Sequence, residues 1–225
     1  MKLTVVVPVY NERDTVEQAI RAVQATGLDH ELIVVDDGSD DGTTEIIQRL
    51  QGPGVRVICQ PQRMGKGMAI RTALPHAQGQ VVVIHDADLE YDPRDFRAML
   101  EPIIKDEAQV VYGTRFWKRV EGIRLANRII NRLLAWLANL LFRAGISDEA
   151  TCYKMLRTDL LKSIPLQCRG FEFCPEITAK VRRRGVRIAE VPISYRARPD
   201  QSSKKIRWTD GIKAITTLLH YRLWE

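Results

Sequence analysis

The stretch Val81-Val82-Val83-Ile84-His85-Asp86-Ala87-Asp88-Leu89-Glu90 decides the fold. Four β-branched residues in a row read as a strand buried on both faces, the pattern of a parallel sheet. The run passes directly into Asp-x-Asp. Ligands of such sheets gather beyond the carboxyl ends of the strands. Two carboxylates at that edge can converge on one hard divalent cation, Mg²⁺ or Mn²⁺, which could bridge two phosphates. Glu90 is a candidate third ligand, or a surface acid.

Similar runs lie on both sides. Leu3–Val9, Leu32–Asp36, Val55–Cys59 and Val110–Tyr112 predict further strands, with the Asp-x-Asp strand spanning Val81–Asp86. Helical patterns alternate with them over Thr15–Ala25, Thr43–Leu50, Lys66–Ala77 and Arg94–Lys105. In the first, Val16, Ala19, Ile20 and Val23 form one apolar stripe. This alternation predicts an α/β sandwich around a mostly parallel sheet with right-handed crossovers. After it the pattern changes. Arg124–Ala144 reads as a long helix carrying Ile129, Ile130, Leu133, Leu134, Trp136, Leu137, Leu140, Leu141 and Phe142, interrupted by Arg128, Arg132 and Arg143. That stripe is either core or an interfacial helix with its arginines at headgroups. Glu172–Arg183 predicts another helix, Arg187–Tyr195 a strand and Arg198–Arg207 a basic loop. Trp208–Trp224 closes the chain as an amphipathic helix. One domain over 1–225 is expected, with a small C-terminal helical appendage.

With 225 residues, 45% of them hydrophobic, the chain can bury a real core, and a disordered class is excluded. The net charge of +6 hides an asymmetry. Residues 1–112 hold 11 basic and 18 acidic side chains, a net of −7; residues 113–225 hold 23 and 10, a net of +13. A basic half can meet nucleic acid, lipid headgroups or a phosphorylated substrate. The acidic strand ends argue against nucleic acid. Cys59, Cys152, Cys168 and Cys174 form no CxxC pair, so free thiols in a reducing compartment are expected. The short apolar start predicts no signal peptide, and no run of about 18 uncharged apolar residues predicts a membrane span. Arg182-Arg183-Arg184 is expected to be a solvated helix end and His85 a structural residue.

The polar residues cluster after the predicted strands. Asp36-Asp37-Gly38-Ser39 follows the second, where glycine permits a tight turn and two adjacent acids suit a base or ribose. Arg63-Met64-Gly65-Lys66-Gly67 places two glycines and a lysine at a helix start, a feasible approach for phosphate. Neither a Walker A loop nor GxGxxG is present.

Taken together, Val7-Pro8-Val9-Tyr10-Asn11-Glu12, Asp36-Asp37-Gly38-Ser39, Gly65-Lys66-Gly67, Asp86-Ala87-Asp88-Leu89, Gly113-Thr114-Arg115, Asn127-Arg128, Asp148 with Cys152-Tyr153-Lys154, Glu190-Val191-Pro192-Ile193, and Arg198 with Ser202-Ser203-Lys204 carry a resemblance. The chain resembles the inverting GT-A-fold glycosyltransferases, and more narrowly the polyprenol-phosphate glycosyltransferases similar to dolichol-phosphate mannose synthase. The resemblance implies roles. Pro8, Tyr10, Glu12 and Asp37 would hold the base and ribose. Lys66 and Asp86 would belong to the same donor site. Asp86 and Asp88 would take the Mg²⁺ or Mn²⁺, with Glu90 standing where relatives often carry Gln. Arg115 and Arg128 would face donor or acceptor phosphates, and Arg198 and Lys204 would close over the diphosphate. Asp148 sits where inverting relatives often place a general base, and Cys152 where many carry Gly. Residues 1–115 would bind the nucleotide sugar, GDP-mannose or UDP-glucose. Residues 116–225 would face the acceptor and an anionic membrane surface. The implied reaction moves a hexose to a polyprenyl (dolichyl or undecaprenyl) phosphate. The alternative acceptor is a saccharide hydroxyl in surface-polymer synthesis. The expected location is cytoplasmic, peripheral to the inner face of a membrane.

Overall fold

A computed structural model of the chain describes residues 1–117, 125–198 and 208–224. Seven strands form one sheet: β1 (Leu3–Val9), β2 (His30–Asp36), β3 (Val55–Cys59), β4 (Val81–Ile84), β5 (Val110–Thr114), β6 (Lys154–Arg157) and β7 (Ile188–Pro192). Their order is β3-β2-β1-β4-β6-β5-β7. β1 sits between two parallel neighbours, β2 and β4. All but Pro8 of its residues are buried, as expected of a strand covered on both faces. β6 alone runs antiparallel, to β4 on one side and β5 on the other. The sheet is therefore mostly parallel, as the apolar runs predict.

Four helices return the chain through the first half: α1 (Val16–Gln24), α2 (Thr43–Arg49), α3 (Lys66–Ala73) and α4 (Phe96–Ile104). The α1 stripe Val16, Ala19, Ile20 and Val23 is buried as expected. α3 ends at Ala73, four residues before the predicted limit, because Pro75 turns the chain into a 3₁₀ segment over Leu74–His76. β4 also stops early, at Ile84. The His85 amide still donates to Val6 O at 2.9 Å, but Asp86 and Asp88 lie on the loop beyond. Leu89 within that loop has φ +61°, a left-handed conformation uncommon for a branched side chain.

The second half adds α5 (Leu125–Phe142), α6 (Thr158–Ser163), α7 (Phe173–Arg183) and α8 (Trp208–Leu223). α5, α7 and α8 pack on one another. The arginine triplet at the end of α7 is solvent-exposed at Arg183 and Arg184 and also ties other helices down. Arg182 Nε donates to Phe142 O, Arg183 Nη1 to Tyr221 O and Arg184 Nη2 to Ser163 O, at 3.3, 2.6 and 3.1 Å. These carbonyls lie at or near the C-terminal ends of α5, α8 and α6, where cations are favoured. The helix end is solvated as expected, and its guanidinium groups cap neighbouring helices as well.

The long apolar stripe divides. Leu134, Ala135, Ala138 and Phe142 turn inward, while Ile129, Leu133, Trp136 and Leu140 are exposed, Trp136 to 58% and Leu140 to 61%. On α8, Ala214, Leu218 and Tyr221 are buried, and Ile212, Leu219 and Leu223 face out beside Trp224. Both helices show an apolar face to solvent. No helix among the described residues is long and apolar enough to cross a membrane.

Candidate active site

The carboxyl ends of β1, β2 and β4 bring the polar motifs together. Asn11, with φ +51° at the exit of β1, locks two loops: its Nδ2 donates to Asp40 Oδ1 at 2.7 Å, and its Oδ1 accepts from the Asp40 amide at 3.0 Å. The two adjacent acids after β2 have different duties. Asp36 accepts from Ser39 Oγ and Thr44 Oγ1, both at 2.5 Å, and holds its own turn. Asp37 reaches across to the loop after β3, accepting from the amides of Met64 at 2.6 Å and Gly65 at 2.8 Å. Burial nonetheless pushes its carboxyl above the usual range. Asp37 is thus a brace between loops as well as a donor-site candidate.

The glycines around Lys66 serve packing, which corrects the expected phosphate cradle. The Gly67 and Met68 amides donate to the carbonyls of Gly170 and Arg169, at 3.1 and 3.0 Å. A Cβ on Gly65 would lie 2.4 Å from Arg169 O, and one on Gly67 would lie 2.9 Å from Gly170 O. The amides at the start of α3 are therefore occupied by the 169–170 loop. Lys66 itself points to the carboxylates: its Nζ lies 2.6 Å from Asp86 Oδ1 and 3.5 Å from Cys152 Sγ. Burial works to raise the Asp86 pKa, but the Lys66 charge outweighs it and holds the carboxyl below its usual range.

Arg198 supplies the second cation. Its Nη2 contacts both Glu12 oxygens, at 2.8 and 2.7 Å, and lies 3.6 Å from Asp88 Oδ2. Burial, together with the charges of Asp86 and Glu90, raises the Asp88 carboxyl to about 7. Glu90 departs from its expected place as a third ligand. Its carboxylate accepts from Tyr195 Oη at 2.6 Å and from the Arg198 amide at 3.1 Å. Among the described residues no three acidic, His or Cys side chains converge as a ready metal site. Asp86 and Asp88 still fit a divalent cation. They are hard oxygen donors on one loop, and burial, with the neighbouring Asp86 and Glu90 charges, disfavours the Asp88 anion in a way that a bound cation would offset.

At the end of β5, Arg115 forms a buried fork with Asp148. Nε donates to Oδ2 at 2.7 Å, Nη2 to Oδ1 at 2.8 Å, and the Arg115 amide also reaches Oδ2 at 3.2 Å. Asp148 is 0% exposed and Arg115 only 6%. Glu190 holds this arrangement from behind by accepting from the amides of Ser147 and Asp148. Both oxygens of Asp148, expected as a general base, accept from the Arg115 guanidinium. Arg128 is exposed on α5 and makes no hydrogen bond to the carboxylate cluster among the described residues. Lys204 lies outside the described residues. Pro8 and Tyr10 stand where expected, at the exit of β1. His85 is structural, buried with Nδ1 2.9 Å from Tyr153 Oη, and burial lowers its pKa to about 4.

Two participants escape a reading of the sequence. Tyr195 anchors Glu90 and lies under the Arg115 guanidinium, 5.0 Å from ring centre to Cζ. Arg63 stands over Tyr10 at 4.3 Å. Neither position carries a spacing signal.

The glycosyl transferase family 2 profile matches residues 4–164, and the chain belongs to that family. A dolichyl-phosphate hexose transferase of Haloferax volcanii is 32% identical over 200 residues, covering 89% of this chain and 85% of the relative. A dolichol-phosphate mannosyltransferase of Pyrococcus furiosus is 29% identical, covering 100% and 65%. Glycosyltransferase AglJ of Haloferax volcanii is 31% identical, covering 90% and 65%. The chain thus spans a little under two thirds of the length of the last two. Among solved structures, glucosyl-3-phosphoglycerate synthase from Mycobacterium tuberculosis superposes with a TM-score of 0.77 at 24% identity, covering 98% of this chain and 79% of that one, which shows the shared fold.

Proposed function

We propose that this chain transfers a hexose, with inversion, from a nucleoside-diphosphate sugar to a polyprenyl phosphate at a membrane surface. The observation that carries the acceptor assignment is the Arg115–Asp148 fork. A hydroxyl acceptor must lose a proton as it attacks, and a positioned base contributes about 10²–10⁴-fold. Asp148 is buried and committed to Arg115, whereas a phosphate monoester is already anionic at pH 7. The acceptor oxygen attacks the anomeric carbon, and the bond from that carbon to the diphosphate breaks on the opposite face. Lys66 and Arg198 are the cations placed to stabilise the departing charge. Asp86 and Asp88 would hold Mg²⁺ or Mn²⁺, whose contribution is neutralisation of the leaving diphosphate. The three Arg115 N–H groups outside the fork, with the exposed Arg128, supply donors for the acceptor phosphate.

The membrane assignment rests on the two exposed apolar faces of α5 and α8, beside the exposed cations Arg128, Arg132 and Arg222. Aromatic and aliphatic side chains immersed at the interface, with arginines at headgroup level, suit an anionic leaflet. Trp117, 60% exposed just beyond Arg115, would sit at the same interface. We infer a peripheral position at the cytoplasmic face of a membrane. Residues 1–115 bind the donor, GDP-mannose or UDP-glucose, and 116–225 meet the lipid acceptor.

The direct test offers nucleotide sugars with either polyprenyl phosphate or the corresponding polyprenol. Lipid-linked sugar should form only with the phosphate. Equal transfer to the alcohol, or to a saccharide hydroxyl, would replace this reading with the polysaccharide one.

A further inference from the structure

We propose that Tyr195 is a positioning residue that aims two cations at once, Arg198 through its hydroxyl and Arg115 through its ring. The proposal rests on the transferase reading above, which gives Arg198 to the leaving diphosphate and Arg115 to the acceptor phosphate.

Tyr195 lies just beyond β7 and is half-buried. Its backbone forms an antiparallel bridge with Tyr91, and its ring stands edge-on to the Tyr91 ring at 5.2 Å. Tyr91 is itself fixed. Its Oη accepts from the Cys152 amide at 3.1 Å, and its ring packs on Tyr153 at 4.7 Å. Tyr153 packs in turn on Phe96 at 5.1 Å. Tyr91, Tyr153 and Phe96 are all buried, so Tyr195 is the outer ring of a column anchored in the core.

The hydroxyl acts on the donor side. It donates to Glu90 Oε2 at 2.6 Å, and Glu90 Oε1 accepts from the Arg198 amide at 3.1 Å. The Arg196 amide donates to Glu90 O at 2.9 Å, and Arg198 Nε to Asp88 O at 3.2 Å. The terminal torsion of a glutamate is broad, so a carboxylate held at one oxygen can turn. The Tyr195 hydroxyl takes up that slack and steadies the segment that carries Arg198 to Glu12 and Asp88.

The ring acts on the acceptor side. Asp148 engages one edge of the Arg115 guanidinium. The Tyr195 ring covers a face, with its centre 5.0 Å from Cζ, a cation–π contact strengthened by burial of the arginine. Edge and face together set the direction of the three remaining N–H groups. The two duties are chemically separable. Phenylalanine loses the hydroxyl and keeps the ring, whereas leucine loses both.

The test compares the full chain with Tyr195→Phe and Tyr195→Leu. Nucleotide affinity is read by calorimetric titration with GDP and UDP in Mg²⁺, and acceptor use as the steady-state KM for polyprenyl phosphate in detergent micelles. Tyr195→Phe should weaken the tighter-bound nucleotide about fivefold, the worth of one hydrogen bond, and leave the acceptor KM within about twofold. Tyr195→Leu should repeat that loss and also raise the acceptor KM about fivefold, as removal of a partly desolvated cation–π contact does. In a Glu90→Ala background, Tyr195→Phe should add less than about twofold, because the hydroxyl acts through Glu90. Unchanged nucleotide affinity in Tyr195→Phe, or a full further loss on top of Glu90→Ala, would overturn the proposal. So would an unchanged acceptor KM in Tyr195→Leu. Equal damage to both substrates in Tyr195→Phe, with lowered melting, would make Tyr195 structural only and overturn it too. Failure of the unaltered protein to bind either nucleotide, or to use polyprenyl phosphate, would instead bring down the transferase reading on which the proposal rests.

Discussion

The two halves of the molecule handle apolar surface and charge in opposite ways. Residues 1–112 carry a net of −7, yet their strands bury nearly every apolar side chain, and their excess acids gather at one sheet edge. Residues 113–225 carry +13 and leave Ile129, Leu133, Trp136, Leu140, Ile212 and Leu223 in water. The second half sends Arg198 into the first half's acidic edge, 2.7 Å from Glu12. The halves are therefore complementary at the site and different at the periphery. One is a closed sandwich that concentrates negative charge; the other is a positively charged layer with apolar faces left exposed.

The largest effect should come from the acidic edge. Asp88→Asn removes one of the two carboxylates placed for a divalent ion and leaves Arg198 facing a neutral group. Turnover should fall about 10²–10³-fold, the scale of losing one preorganised electrostatic contact. Excess EDTA should do the same to the unaltered protein. Full activity in either case would detach the acidic edge from the chemistry and reduce it to a structural cap.

Next in size is the buried ion pair within the second half. Asp148→Asn leaves the Arg115 guanidinium buried without its counter-ion. Breaking one partner of such a pair costs about 3–5 kcal/mol, which for a chain of this size lowers the melting temperature by roughly 10 °C. Arg115→Met with Asp148→Leu should recover much of that stability while failing to restore use of polyprenyl phosphate. An Asp148→Asn protein that melts normally but has lost all turnover would instead mark Asp148 as a base, and the acceptor as a hydroxyl.

The periphery can be broken separately. Trp136→Glu and Leu140→Glu place charge on the exposed α5 face without touching the core. Co-sedimentation with anionic liposomes should drop about tenfold or more for each, because the lost apolar burial is worth about 1.5–3 kcal/mol. Melting should stay unchanged, and binding by the unaltered protein should weaken as salt rises. Undiminished binding by both variants would show that the apolar faces do not meet lipid.

How much of this was legible differs between the same two regions. In the first half the β-branched runs mark β1 to β5, since a doubly covered strand has no choice of face. β6 escapes notice because Lys154-Met155-Leu156-Arg157 is four residues long and charged at both ends. Lys154 is nevertheless fully buried, its Nζ on Glu149 O at 2.8 Å and over the Tyr112 ring at 3.7 Å. No local pattern announces a partner chosen by tertiary contact. The same holds at the site. Asp86 and Asp88 are visible as a motif, but the pairing of Asp148 with Arg115, the capture of Glu90 by Tyr195, and the use of Gly65 and Gly67 against Arg169 and Gly170 depend on which loops meet. The arginine triplet of α7 shows the limit most clearly. Three like charges in sequence read as solvated, and Arg183 and Arg184 are, but nothing in the sequence says that each also finds a different helix end.

The smallest expected effect tests the buried polar layer that joins the halves beneath the site. Glu149 is fully buried, accepts from Thr178 Oγ1 at 3.0 Å, and has no hydrogen-bond partner for Oε2. Burial raises its carboxyl to about 7, against the pull of Lys154 and with the added repulsion of Asp148 and Glu190. An acid whose pKa is higher in the fold than in the unfolded chain binds more protons when folded. Stability should therefore fall as pH rises from about 4.5 to about 7, then level off once both states are ionised. Glu149→Gln removes that titration and keeps the acceptor for Thr178. Its melting temperature relative to the unaltered protein should climb by a few degrees between pH 5 and pH 8, and differ little at the acid end. A constant difference across that range would mean that Glu149 stays ionised throughout. Lys154 would then be its true partner, and the layer would be an ion pair rather than a neutral hydrogen-bonded bridge.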